Sequence, residues 1–239
     1  MSTPQKLRCL VKSVVSHGDR VYTVELLPSA SQVPRFKAGQ FFHLALDPYD
    51  PSGFWPESRV FSIASSPRER DRVQFTYSVR GRYTARMEKE IAAGREVWVK
   101  MPYGEFFVDA GRPVVRRAGG TGSTAFTAFL NDLAAGPAHS VTVFYGARQR
   151  DLLIYRPLVD RCAQSLPGFR AYYYIENLEQ KAPDEMPGQI SIASAWPHVT
   201  DPDSSGFYIA GPPAMLKGLS RQLQEAGVKG QDIHIDAWE

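Results

Sequence analysis

The chain has 239 residues, 43% hydrophobic and 22% charged, as is usual for a globular protein with one large or two small domains. The net charge of +3 is too small to indicate nucleic-acid binding, and no apolar run approaches the roughly 20 residues that a membrane span needs. Two cysteines are too few for a four-cysteine zinc or iron–sulfur site, so we expect no metal and, because no secretory signal is evident, a cytoplasmic location.

From residue 7 to residue 108 the sequence is strand-like throughout. Short apolar runs alternate with turn-forming segments around one helical piece, TARMEKEIAAG, and the runs are CLVKSVV, RVYTVELL, QFFHLAL, RVFSIAS, VQFTYSV and EVWVKM. Six short strands separated by turns predict a small antiparallel barrel or sandwich.

After residue 111 the rhythm changes to strands that alternate with helices. The strand candidates are PVVRRAGG, SVTVFYGA, RAYYYIEN and GFYIAG, and the helical candidates are STAFTAFLNDLAAG, PLVDRCAQSLPG and PAMLKGLSRQLQEAG. Such alternation indicates right-handed βαβ units around a parallel sheet. We therefore expect two domains, over residues 1–110 and 111–239.

The run RVFSIASSP, residues 59–67, has an unusual composition for a strand. Any half-buried strand alternates apolar and polar residues, but one arginine followed by several serines is a more particular choice. A guanidinium and a short hydroxyl on one face would suit a flat ligand that carries phosphate.

Two glycine-containing junctions follow strands of the second half. AGGTGSTAFTAFL places a glycine-rich turn between a strand and a helix, and YIAGPPAMLKGL does the same with a Gly-Pro-Pro turn. Glycines let a backbone approach a phosphate, and a helix N-terminus favours an anion, although each turn alone is also an ordinary tight connection. In one parallel sheet the two junctions can line the same crevice.

The first half offers another anion site, at the start of its helix. In SVRGRYTARMEKEI we expect Thr84 to be the N-cap, with room for a phosphate on the same backbone N–H groups. Six arginines crowd into this region, either as a solvated hairpin surface or as a site for phosphate or for an acidic partner: Arg68, Arg70, Arg72, Arg80, Arg82 and Arg86.

The order of RVFSIASSP, GRYT, PYGEF, AGGTGSTAF, AGPPAM and IDAW resembles the ferredoxin–NADP reductase family over nearly the whole chain. The resemblance implies an antiparallel six-stranded β-barrel that binds FAD, followed by a Rossmann-like NAD(P)-binding domain with a parallel sheet. It also implies catalytic roles for Ser62, next to flavin N5, and for Asp236.

The same resemblance implies a set of cofactor-binding residues. Flavin contacts are expected from Arg59, Phe61, Ser62, Ser66, Val79, Gly81, Arg82, Thr84 and Trp238. Contacts with NAD(P)H are expected from Gly119, Gly120, Thr121, Gly122, Arg148, Gly211 and Pro212. Arginines at positions 148 and 150 would tolerate the 2′-phosphate of NADPH, and GRYT favours FAD over FMN because it supplies a second phosphate site.

Some features depart from the family pattern. Ala210 stands where many members have cysteine, and Ala125 stands where proline is usual. Arg116 and Arg117 fall in a strand that should be apolar on both faces. Because an unpaired buried guanidinium is costly, one of them must reach a carboxylate, a phosphate or the interdomain cleft, unless this strand is exposed.

The implied activity is that of an NAD(P)H-dependent flavoprotein reductase. It would transfer hydride from NAD(P)H to bound FAD and pass electrons to a separate protein: a ferredoxin, a flavodoxin or an oxygenase component. Two alternatives stay open, a reductase of free flavin and a catalytically inactive flavin-binding electron-transfer or regulatory module.

Overall fold

The computed structural model describes residues 3–30, 32–108, 111–133, 139–178, 180 and 182–236. The strands are β1 Gln5–Ser16, β2 Val21–Pro28, β3 Phe41–Ala45, β4 Ser58–Ser62, β5 Val73–Ser78, β6 Glu96–Tyr103, β7 Val114–Gly119, β8 Val141–Ala147, β9 Phe169–Ile175, β10 Glu185–Pro187, β11 Gly206–Ala210 and β12 Ile233–Asp236. The α-helices are α1 Arg82–Glu90, α2 Thr124–Asp132, α3 Arg156–Ser165, α4 Ile192–Ala195 and α5 Pro213–Glu225.

The chain forms two compact units. One comprises Met1–Phe107 together with Thr124–Asp132, and the other comprises Val108–Ser123 together with Leu133–Glu239. Helix α2 is thus grouped with the first unit, and a division into domains at residue 110 stays a prediction. None of the described helices is long and apolar enough to cross a membrane.

The first unit is built on a six-stranded antiparallel sheet in the order β4-β3-β6-β1-β2-β5. Just beyond β4, the Ala64 N–H donates to the Gln74 carbonyl on β5 at 2.7 Å. The hydroxyl of Ser65 accepts from the Gln74 N–H at 3.2 Å. These bonds bridge the two edge strands, so the sheet is a nearly closed barrel, which confirms the predicted architecture.

Helix α1 packs one face against the apolar interior of this barrel. Tyr83 and Met87, four residues apart, are buried in the same core as the inward side chains of β1. The Tyr83 hydroxyl donates to the Leu44 carbonyl at 2.8 Å, which fixes the helix against β3. The predicted N-cap, Thr84, is wrong: α1 begins at Arg82 with Gly81 as N-cap.

The second unit contains a parallel six-stranded sheet in the order β10-β9-β8-β7-β11-β12. The four predicted strands form its centre, which confirms the Rossmann-like sheet. Strands β10 and β12 were not predicted separately, because three or four residues are too few to show a pattern. The central strand β7 is buried, so the alternative of an exposed strand around Arg116 and Arg117 is wrong.

Candidate functional site

Strand β4 carries the first group of predicted residues. The Arg59 guanidinium lies over the Tyr83 ring, with Cζ 4.8 Å from the ring centroid, and Nη1 donates to the Ser58 carbonyl at 2.8 Å. Phe61 shares the face of Arg59, whereas Ser62 points to the opposite face because successive side chains alternate. The Ser62 hydroxyl therefore does not share the strand face of the Arg59 guanidinium.

A carboxylate lies between two of the predicted arginines. The Glu57 Oε1 atom is 3.1 Å from Arg59 Nη2 and 3.7 Å from Arg82 Nη2. Because both guanidinium groups approach the same oxygen, the structure brings together two residues that lie far apart in the sequence. Glu57 is not among the residues predicted from the sequence, although an acid two residues before the arginine is a signal for such a pair.

The N-terminus of α1 fits a phosphate group. Gly81 has no side chain with which to cap the helix, and a Cβ placed on it would meet nothing within 4 Å. The Thr84 hydroxyl accepts hydrogen bonds from the Arg80 and Gly81 N–H groups at 2.9 and 3.1 Å. It thereby holds the turn that leaves the N–H groups of the first helical turn open to an anion.

Phe61 and Ser62 have different surroundings. The Phe61 ring packs on Phe75 at 4.9 Å and on Phe42 at 6.1 Å between centroids. Ser62 ends β4 opposite Phe41 and is half-buried. The ring is therefore held by the barrel core, and the small side chain stands at the end of the same strand.

Ser66 and Val79 each form a hydrogen bond within the protein. Ser66 is buried, and its hydroxyl accepts from the Arg68 N–H at 3.2 Å. The Val79 N–H donates to the Arg20 carbonyl at 3.0 Å. A flavin contact from Val79 would therefore have to come from its carbonyl oxygen.

The two glycine junctions of the second unit are in direct contact. A Cβ on Gly122 would lie 2.6 Å from both Cα and N of Gly211, so only glycine permits this approach. Gly120 has a φ of +55° and open space where a Cβ would be. The close junctions and the open position together form a cradle that fits a phosphate, and Pro212 caps α5 beside it.

Other predicted residues flank this cradle. Asp236 is buried at the end of β12, level with Ala210. Gly119 ends β7, and a Cβ on it would lie 2.8 Å from the Met215 sulfur. The side chain of Thr121 and the whole of Trp238 lie outside the part of the chain that the structure describes.

The two arginines beyond β8 differ in their surroundings. Arg148 is exposed. Arg150 donates from Nε and Nη2 to the Glu185 carboxylate at 2.9 and 2.7 Å, and Arg156 donates to the same carboxylate at 2.6 Å. Glu185 thus pairs with Arg150, and the expectation that arginines 148 and 150 tolerate a 2′-phosphate stays a prediction.

The basic stretch over residues 68–86 is not a surface of uniform positive charge. Ion pairs neutralise four of its six arginines: Arg68 with Asp132, Arg72 with Glu25 and Glu69, Arg82 with Glu57, and Arg86 with Asp47 and Glu90. The paired, solvated surface therefore accounts for this stretch better than a docking surface for an acidic protein.

The comparisons with known proteins agree with both units. Residues 118–221 match the model of the oxidoreductase NAD-binding domain. Terephthalate 1,2-dioxygenase reductase component 2 from Comamonas is 27% identical over 211 residues, covering 85% of this chain and 60% of that protein. The propane 2-monooxygenase reductase component from Mycolicibacterium smegmatis is 26% identical, covering 98% of this chain and 68% of that protein. The chain thus spans about two thirds or less of these relatives.

A solved structure shows the same fold over the whole chain. The FAD/NAD-binding domain of nitric oxide dioxygenase from Vibrio cholerae superposes with a TM-score of 0.83 at 21% identity, covering 97% of this chain and 98% of that one. That neighbour is a domain that binds FAD and NAD. Residues 118–221 are thus similar to the oxidoreductase NAD-binding domain, and the chain has the fold of an FAD/NAD-binding domain.

Proposed function

We propose that the protein is an NAD(P)H-dependent flavoprotein reductase that passes electrons to a separate acceptor protein. The observation that carries the proposal is the convergence of Arg59 and Arg82 on one carboxylate, beside the open N-terminus of α1. Two guanidinium groups and a helix N-terminus are the groups that bind phosphate best in proteins. The glycine cradle of the second unit supplies an equivalent site for the pyridine nucleotide.

The residues of the chain would bind and orient the flavin and the nucleotide, since a bound flavin supplies the redox chemistry. Arg59 and Arg82 would bind the flavin phosphates, which would replace the Glu57 carboxylate as the partner of both guanidinium groups. Ser62, small and at the end of its strand, would leave a flat ring accessible and offer a hydroxyl to its edge. In the second unit, Gly120 and Gly122 would let the pyrophosphate approach the backbone.

The acceptor class is inferred from the relatives. Two of them are reductase components of a dioxygenase and of a monooxygenase. With two cysteines, the chain lacks the four thiolates of an ordinary iron–sulfur cluster. An iron–sulfur relay would therefore use ligands outside these residues, and we expect a ferredoxin or an oxygenase component as acceptor.

A visible spectrum and a nucleotide titration test the proposal. We expect purified protein to bind FAD and its absorbance near 450 nm to bleach within about a second of anaerobic mixing with NADH or NADPH. Arg59→Met should weaken FAD binding at least about tenfold because it removes a charge-assisted bond to phosphate. The matched control Arg8→Met, an exposed arginine on β1, should leave binding unchanged.

Three results would contradict the proposal in different ways. Protein that cannot be reconstituted with FAD or FMN would exclude a flavoprotein. Flavin that binds but is not reduced by either nucleotide would favour the inactive binding module. Turnover that is fast with free FMN and absent with ferredoxins or flavodoxins would favour the free-flavin reductase.

A further inference from the structure

A buried guanidinium in the centre of the parallel sheet is not explained by the fold. Arg117 on β7 is 1% exposed, and its Nε, Nη1 and Nη2 atoms have no hydrogen-bond partner among the residues that the structure describes. Its Cζ lies 5.4 Å from the centroid of the Phe144 ring. Contact with an aromatic face offsets only part of the hydration that a buried cation loses.

The guanidinium stays charged at neutral pH. Burial lowers the pKa of Arg117 to about 10, still well above 7. The ligand-free protein therefore carries a positive charge in its interior at a cost in stability. Such a cost is typical of a group that is kept for binding.

Arg117 lies on β7 two residues before Gly119, where the glycine cradle begins. Arg117 pairs with Phe144 across the sheet, and the next positions on the same face are Gly119 and Gly146, which pair with each other. Neither glycine has a Cβ. Without these side chains, a slot is left on this face between Arg117 and the turn at the end of β7. It is about 7 Å long, the length of two residues of strand.

Adaptable side chains fill this slot. A Cβ on Gly119 would lie 2.8 Å from the Met215 sulfur, and a Cβ on Gly146 would lie 3.2 Å from Cδ1 of Ile190. Methionine has three rotatable bonds and fills gaps without fixing them. Both side chains that fill the slot, Met215 and Ile190, are apolar.

We propose that Arg117 is a positioning residue whose buried charge stabilises the pyrophosphate of the pyridine dinucleotide on the glycine turn. The proposal rests on the proposed function, because that function places a dinucleotide there. A cation acting through an apolar slot is screened little by solvent or salt, so it attracts the two phosphate charges without touching them. The neighbouring Arg116 points to the opposite face, towards Tyr208 and Cys162.

Binding of ADP-ribose to the FAD-loaded protein tests the proposal, since this probe has the pyrophosphate but no nicotinamide. We expect Arg117→Met to raise its Kd about tenfold by calorimetry, by nearly the same factor at 50 and 500 mM NaCl. The melting temperature of nucleotide-free Arg117→Met should rise by a few degrees, because an uncompensated buried charge has been removed. The control Arg116→Met should change the Kd less than threefold.

The proposal is overturned if Arg117→Met binds ADP-ribose as wild type does, or if Arg117→Met and Arg116→Met lose affinity equally. In either case reduction of the flavin by NADH would leave the proposed function standing. Failure of wild type to bind ADP-ribose would instead contradict the proposed function itself.

Discussion

Glu57 takes the place that an anionic ligand group would take between Arg59 and Arg82. We expect Glu57→Gln to increase FAD affinity by up to about fivefold, because the carboxylate competes with phosphate for the two guanidinium groups. An exposed ion pair is worth about 1 kcal/mol at most, which sets the size of the gain. Titration of FAD into apoprotein, followed by fluorescence quenching, measures it.

Glu96→Gln provides the matched control, since Glu96 forms a similarly exposed pair with Arg8. It should leave FAD affinity unchanged. Weaker FAD binding by Glu57→Gln would show that the carboxylate orients the arginines and does not compete with phosphate.

Single residues can be singled out where their type is unusual for their place. Arg59 is such a residue, because an arginine seldom opens a strand rich in serine, and its contact with a flavin phosphate stays a prediction. Glu57 and Tyr83 were missed because their role depends on side chains that meet in space. The Tyr83 ring reaches Arg59 only because its hydroxyl is fixed to the Leu44 carbonyl on another element.

The contact between the two glycine junctions makes Gly122 intolerant of a side chain. Gly122→Ala would place a Cβ 2.6 Å from backbone atoms of Gly211, so one junction must shift. We expect at least about tenfold weaker binding of ADP-ribose with FAD content unchanged, since misplacing the cradle by an ångström is enough.

Gly218→Ala is the control for this substitution. Gly218 lies inside α5, where a Cβ would meet nothing within 4 Å. Alanine there should raise stability by about 0.5–1 kcal/mol and leave nucleotide binding unchanged. Wild-type affinity in Gly122→Ala, measured by the same calorimetry, would mean that the cradle does not hold the nucleotide.

Whole elements were predicted well where they were long and periodic, and their ends less well. The start of α1 shows why. Threonine is a preferred N-cap, but Thr84 lies inside the helix, where its hydroxyl bonds back to the N–H groups of Arg80 and Gly81. The N-cap preference of threonine correctly pointed to Thr84 at this turn, but Thr84 lies three residues after the N-cap, Gly81.

At the scale of the whole molecule, carboxylates in ion pairs set the response to acid. Hydrogen bonds from Arg150 and Arg156 lower the pKa of Glu185 to about 2 from an ordinary value of 4.5. A carboxylate with a lowered folded-state pKa contributes stability above its unfolded pKa and loses it as the pH falls. We expect the melting temperature to be nearly constant above pH 5 and to fall between about pH 4.5 and 2.

Glu185→Gln should cost about 3 kcal/mol at pH 7, because two arginines lose their buried partner. Its melting temperature should depend less on pH than that of wild type over the same interval. Thermal melts followed by circular dichroism measure both effects. An unchanged pH profile would show that other carboxylates, such as Asp47 and Glu25, dominate the acid response.

The overall architecture could be predicted because strands alone precede residue 111 and strands alternating with helices follow it. The hydrophobic periods of strands and helices are properties of the local sequence. The buried position of both arginines on β7 did not follow, since it contradicts what a central parallel strand should contain. For Arg117, a conflict of this kind between the local rule and the structure is expected if the group serves binding and not folding.

The bridge between Ala64 and Gln74 has a consequence for the strand that bears Arg59. In an ordinary edge strand the pairing can slide by one residue, and every side chain then turns to the other surface. Here β4 pairs with β3 on one side, and just beyond β4 the Ala64 N–H donates to the Gln74 carbonyl on β5. We expect this bond to hinder a one-residue slip that would turn the Arg59 guanidinium to the other face.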